Sequence, residues 1–179
     1  MSARVAVVVG NPKPASRTLA AASYVARELA GTDPDLVVDL GAVGAGLLDW
    51  ADPEVGALVR EVSAAELVVV ASPTYKATYT GLLKLFLDRF AASGEGSLRG
   101  VAVPFMLGAG PTHALAPELT LRPVLSEIGA VVPVRGLYVL DARHDDPTAY
   151  ADWLVESRPR VHAHLDSGLT SGLTSGAPA

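Results

Sequence analysis

Apolar residues follow two rhythms along this chain, short unbroken runs and stretches spaced by three and four. Residues 4–9 are a run with four valines. A run of that kind reads as a strand buried on both faces, as in a parallel sheet. Leu19, Ala22, Ala26 and Leu29 then recur at helical spacing, with Ser16 placed as an N-cap and Gly31 as the stop. Residues 36–40 read as a second strand. Asp52 and Pro53 open a second helix, whose apolar stripe is Val55, Leu58, Val59 and Val62. Residues 67–71 give a third strand. Leu82, Leu83, Phe86, Leu87 and Phe90 form the inward face of a third helix, and 101–107 a fourth strand. A fourth helix is expected to carry Leu115, Leu119, Leu125 and Ile128 inward, with Pro123 inside its pattern. Residues 131–134 and 137–140 read as one interrupted fifth strand, and 147–165 as a final helix.

Strand and helix alternate five times. That order predicts an α/β fold, a doubly wound five-stranded parallel sheet with helices on both faces. Ligands of such sheets bind beyond the carboxyl ends of the strands. The end of the chain repeats SGLT twice and then reads SGAPA, which predicts a disordered tail over 167–179 after a domain spanning 1–166.

Composition narrows the function classes. The chain has 179 residues, half of them hydrophobic, and a net charge of −5. That balance argues against nucleic acid or an anionic membrane as partner. Cysteine is absent, which excludes disulfides and thiolate metal sites, and the four histidines lack metal-ligand spacing. No apolar run approaches the roughly 18 residues of a membrane span. These features predict a cytoplasmic protein.

Three loops follow strands and should therefore meet at one edge: GNPKPASRT, SPTYKATYTG and GAGPTHA. The first ends at a helix N-terminus, where free amides and the helix dipole favour an anion. Asn11, Ser16, Arg17 and Thr18 would add polar groups and charge. It lacks the Walker A lysine and the G-x-G-x-x-G pattern. Against the anion reading, Ser16 could serve only as a cap and Arg17 could be solvated. The second loop offers Pro73, Thr74, Tyr75 and Lys76 to a planar ligand, or merely packs its tyrosines at the sheet edge. Lys84, Asp88 and Arg89 read as surface or subunit-contact residues. In the third loop Gly108, Ala109 and Gly110 permit close backbone approach. His113 there is either an acid/base group or structural.

In order and spacing, GNPKPASRT, SPTYKATYTGLLKLFLD and GAGPTHALAPELTLRPVLSEIGA resemble the NAD(P)H-dependent FMN reductases of the flavodoxin-like fold, over residues 4–140. The similarity is greatest to the reductases of two-component alkanesulfonate monooxygenase systems. The resemblance implies sheet order 2-1-3-4-5. It places Asn11, Ser16, Arg17 and Thr18 on the phosphate of FMN. Pro73, Thr74, Tyr75 and Lys76 fall on a flavin-contact turn, and Gly108, Ala109, Gly110 and His113 on a flavin loop. It also implies NADPH or NADH as hydride donor, no catalytic side chain, a flavin-dependent monooxygenase as partner, and a homodimer or homotetramer. A related flavoprotein that retains FMN and reduces quinones or azo compounds is the alternative, and a flavodoxin-like electron carrier a third. The chain departs from the family at Asn11, where serine is usual, and at Ala109, which interrupts a glycine pair. Leu119 stands where relatives carry an aromatic residue tied to flavin handover, and its spacing from Leu115 predicts a core position.

Overall fold

The structure, a computed structural model, describes residues 3–167 of the chain. The tail expected from residue 167 lies, beyond Ser167 itself, outside the described residues. In chain order the elements are β1 (Val5–Val9), α1 (Arg17–Ala30), β2 (Leu36–Asp39), α2 (Leu40–Val43) and α3 (Pro53–Ser63). They continue with β3 (Leu67–Pro73), α4 (Gly81–Leu87), β4 (Val101–Gly108), α5 (Arg122–Glu127), β5 (Leu137–Leu140) and α6 (Ala151–Asp166). All five strands are parallel in the order β2-β1-β3-β4-β5. This is the flavodoxin-like order expected.

Alternation along each strand divides the core in two. Val5, Val7 and Val9 of β1 and Leu67, Val69 and Ala71 of β3 face one layer, which α1 and α6 cover through Ala22, Val25, Leu29, Trp153 and Leu154. Ala6, Val8, Val68 and Val70 face the other, covered by Val55, Leu83, Phe86, Leu121 and Leu125. The central strands are buried on both sides, which is why they read as unbroken apolar runs. Each fully buried Val or Leu contributes about 1.5–3 kcal/mol of transfer free energy. Helix ends follow the sequence signals. Ser16 Oγ accepts from the Leu19 amide, Gly31 closes α1 at φ 77°, and Asp52 accepts from the amides of Glu54 and Val55.

Four expectations need correction. Only Leu137–Leu140 forms β5; Val131 makes an isolated parallel bridge to Val101, and residues 131–136 run as a strap. Arg122 explains the strap, because its guanidinium donates to the carbonyls of Val132 and Val134 at 2.7 and 2.6 Å. The last helix starts at Ala151, after a separate 3₁₀ turn at Pro147–Ala149. Strand β3 runs two residues further than its apolar run, so Ser72 and Pro73 belong to the sheet and pair with Met106 and Leu107. The fourth deviation is in the helix before α5. Residues Pro117–Leu121 form a π-helix, and Pro117, Leu121 and Leu125 make the buried stripe. The wider turn shifts the phase of the helix face. Leu115 and Leu119 consequently lie outside the core, 65% and 66% exposed.

Candidate active site

Because the strands are parallel, the loops after β1, β3 and β4 leave from one edge. The chain passes from β1 to β2 on one side and to β3 on the other, so the crevice between the β1 and β3 loops is the switch point of the sheet.

The first loop is held internally. Asn11 uses both ends of its amide: Nδ2 donates to Thr18 Oγ1 at 3.1 Å and Oδ1 accepts from the Lys13 amide at 3.0 Å. Thr18 is buried, so its hydroxyl is a partner of Asn11 rather than an open donor. Ala15 turns at φ 50°, and its amide is fixed by Asp39 Oδ2 at 2.8 Å. The first-turn amides of α1 at Arg17 and Thr18 have no intrahelical acceptors. Arg17 reaches out and donates from Nη1 to Asp141 Oδ2 at 2.6 Å. The edge therefore combines an amide-rich helix start with one cation paired to one carboxylate.

Thr80 ties the first loop to the second. Its Oγ1 donates to the Gly10 carbonyl at 2.5 Å and accepts from the Leu83 amide at 3.2 Å, capping α4. A Cβ on Gly10 would stand 2.3 Å from Leu83 Cβ, so only glycine lets the loop lie this close to α4. Ser72 Oγ accepts from the Thr80 amide at 3.0 Å and donates to Pro73 O at 2.8 Å. Between these anchors the chain makes a tight hairpin. Tyr75 N donates to Thr78 O at 2.9 Å, and Lys76 and Ala77 both take positive φ, 51° and 72°. Type I′ geometry demands this of both central residues and normally uses Asn or Gly. The hairpin thus holds Lys76 and Ala77 in strained backbone and leaves Tyr75 half exposed. Thr74 Oγ1 is buried without a hydrogen-bond partner.

The third loop is braced by Tyr138 of β5. Its hydroxyl donates to Gly110 O at 2.6 Å and covers Gly108 so closely that a Cβ there would lie 1.7 Å from it. Gly108 is glycine for Tyr138's sake. Burial raises the Tyr138 pKa, with the Thr74 hydroxyl nearby opposing the rise, so the phenol keeps its proton for Gly110 at neutral pH. Gly110 is extended and faces open space, with nothing within 4 Å of a Cβ. Ala109 and His113 are exposed. His113 lines a cavity of about 450 Å³ with Ala77, Leu115, Leu119 and Thr120, so the second and third loops meet in one recess. Another cavity, about 490 Å³ and lined by Arg60, Glu66, Arg99 and Gly100, opens at the amino edge and is remote from these loops.

Of the residues singled out, Asn11 and Thr18 act on the loop itself, and Pro73 lies in β3. Ser16, Arg17, Tyr75, Lys76, Gly110 and His113 lie around the edge with groups still free to meet a ligand, and Thr74 lies there with its hydroxyl enclosed beside Tyr138. Four residues that shape the edge were not foreseen. Thr80 carried a signal, standing as an N-cap before an apolar helix. Tyr138 sat in an alternating strand, Asp39 ended a strand, and Asp141 lies 124 residues from the arginine it pairs with. Arg89, read as a surface or subunit-contact residue, donates to the carbonyls of Asp49 and Trp50 at 3.1 and 3.0 Å in an exposed position. Lys84 and Asp88 pair with each other one helical turn apart.

The edge suits a ligand with an anionic end and a flat, mostly apolar body with polar rims. Gly110 leaves room, and Leu115 and Leu119 supply an apolar wall. FMN has that chemistry. No helix among the described residues is long and apolar enough to cross a membrane.

Comparison with known proteins gives a consistent result. The family described as NADPH-dependent FMN reductase matches residues 3–145. An FMN reductase (NADPH) of Escherichia coli (strain K12) is 28% identical over 95% of this chain and 86% of its own length. An FMN reductase (NADPH) of Pseudomonas aeruginosa is 32% identical over 94% of this chain and 92% of its own. Among solved structures, the apo form of an NADH:FMN oxidoreductase superposes with a TM-score of 0.73 at 26% identity, covering 96% of this chain and 90% of that one.

Proposed function

The chain belongs to the NADPH-dependent FMN reductase family, an oxidoreductase acting between a reduced nicotinamide nucleotide and FMN, and we propose that it holds the flavin across the three loops of the carboxyl edge. The observation that carries this placement is the Thr80 hydrogen bond to Gly10, which fixes the helix-start loop against the Tyr75–Thr78 hairpin. Ser16, Arg17 and the free amides of α1 would hold the phosphate. Thr74, Tyr75 and Lys76 would meet one side of the ring system, and Gly110 and His113 another.

When bound, the flavin supplies the centre that accepts hydride from the nicotinamide. The chain's own residues provide preset geometry. Thr80 sets the distance between two loops, Tyr138 pins the Gly110 carbonyl, and Asn11 stiffens the turn into α1. Positioning two rings in this way removes orientational freedom before reaction. With the flavin seated, Leu115 and Leu119 would keep water from one wall of the recess. Backbone amides of the loops would stabilise negative charge developing on the ring's polar rim.

The reading includes FMN as an exchanging substrate, handed on in reduced form to a flavin-dependent monooxygenase in the cytoplasm. The exposed position of the Arg17–Asp141 pair supports exchange, since a phosphate there stays close to water. It also includes a homodimer or homotetramer, supported by the exposed Leu48, Trp50, Leu115 and Leu119. Steady-state oxidation of NADPH and NADH, with and without added FMN, tests the first point. Protein dialysed free of flavin is expected to regain full activity with added FMN and to saturate with it. Flavin that survives dialysis, with turnover set by an added quinone and indifferent to FMN, would replace this reading with that of a retained cofactor. Light scattering at micromolar concentration tests the assembly.

A further inference from the structure

Arg17, the cation at the start of α1, is already paired. Its Nη1 donates to Asp141 Oδ2 at 2.6 Å, and Asp141 follows directly on β5 at the same carboxyl edge. The contact joins residues on elements far apart in sequence, so it is a tertiary contact and not an incident of local helix charge. Both side chains are substantially open to solvent, 61% and 42% exposed. The contact uses one guanidinium nitrogen only. Among the described residues Nε and Nη2 have no partner, and neither does the second oxygen of the Asp141 carboxylate. An approaching anion can therefore engage the free side of the fork. It then stands beside the negative charge of Asp141. A solvent-facing ion pair is weak and exchanges readily.

We propose that Asp141 is an affinity-setting residue for phosphate monoesters at this edge: it competes for Arg17 and repels the bound phosphate, which keeps FMN exchangeable. The inference rests on the placement of the FMN phosphate at Arg17 and deepens it. A phosphate monoester carries about −1.5 to −2 charge near neutral pH, so the penalty falls on FMN and spares riboflavin, which has no phosphate. The same discrimination acts on the 2′-phosphate of NADPH against NADH if that group, rather than the flavin's, is what meets Arg17. Asp141→Asn keeps the shape and an acceptor for Arg17 while removing the charge.

The experiment measures equilibrium binding of FMN and riboflavin by flavin fluorescence, FMN release by stopped flow, and KM for NADPH and NADH. It compares the wild-type chain with Asp141→Asn, Asp141→Ala, Arg17→Ala and the double variant Arg17→Ala/Asp141→Asn. Both Asp141 variants are expected to tighten FMN about three- to tenfold at low salt, with slower release and riboflavin unchanged. The gain should shrink as salt rises, and measured against Arg17→Ala it should be smaller in the double variant, where only the direct repulsion remains to be relieved. An unchanged FMN affinity, or a selective weakening, would overturn the proposal; weakening would make Asp141 an orienting support for Arg17. If the NADPH-to-NADH ratio of KM moves while FMN does not, the phosphate involved is the nucleotide's and the flavin version is overturned. The underlying placement fails separately, if Arg17→Ala weakens FMN and riboflavin alike.

Discussion

Thr80→Val isolates the link between the first two loops. Thr80 is 4% exposed, and its hydroxyl makes two bonds, to the Gly10 carbonyl and from the Leu83 amide. Valine keeps the size and branching, so packing should hold. Loss of an N-cap costs about 0.5–2 kcal/mol. Leaving a buried carbonyl without its donor costs about 1–3 kcal/mol. The two terms share one side chain and overlap, so a total loss of about 2–3 kcal/mol is expected. For a chain of this size that lowers Tm by roughly 4–12 °C. Thr80→Ser retains the hydroxyl and should lose about 1 kcal/mol or less, from the missing methyl. Urea denaturation of both variants gives the comparison, and FMN affinity measured alongside should fall for valine and hold for serine. If the valine variant lost no more than the serine variant in both assays, the hydroxyl bridge would not be what holds the two loops together.

Two further outcomes follow from local geometry. Ala77→Gly should stabilise the chain by about 0.5 kcal/mol, because removing a Cβ at φ 72° relieves about 1–2 kcal/mol of left-handed strain and returns part of it as unfolded-state entropy; a clear loss in chemical denaturation would mean the hairpin is not strained there. Asp146 is held at a pKa of about 2 by the Thr148 hydroxyl and Arg143, below its unfolded value of 3.8. A depressed carboxylate contributes stability that is complete above the unfolded pKa and is lost as pH falls through the folded one, so the Arg143–Asp146–Thr148 turn should persist at pH 5 and loosen between about 4 and 2. Carboxyl NMR showing an Asp146 midpoint near 4 would contradict that.

The sheet was legible because its central strands are buried on both faces, and residues such as Val7, Val69 and Val103 leave no polar position to confuse the run. Helix starts were legible where caps are local, at Ser16 and Asp52. The fourth helix was misread because periodicity assumes 3.6 residues per turn, and a π-turn at Pro117–Leu121 breaks that assumption without any marker in composition. Leu115 and Leu119 therefore reached the surface although their spacing pointed inward. Residues 131–134 resembled a strand because Val132 and Val134 do pack, but Arg122 takes their carbonyls, which a ladder would need. The site was legible as three loops, since each loop's chemistry is contiguous in sequence. What joins the loops was not. Thr80 to Gly10, Tyr138 to Gly110 and Arg17 to Asp141 are bonds between distant segments, and no spacing rule announces them.

The central claim is that FMN is held where the loops after β1, β3 and β4 converge. Amide hydrogen exchange of the flavin-free chain, with and without saturating FMN, measures this directly. Slowed exchange is expected in residues 10–18, 74–80 and 108–114, with little change at residues 60–66 and 94–100 around the amino-edge cavity. Protection confined to the amino edge, or to the groove of Tyr24, His144 and Tyr150 between α1 and the segment that precedes α6, with none in the three loops, would contradict the account.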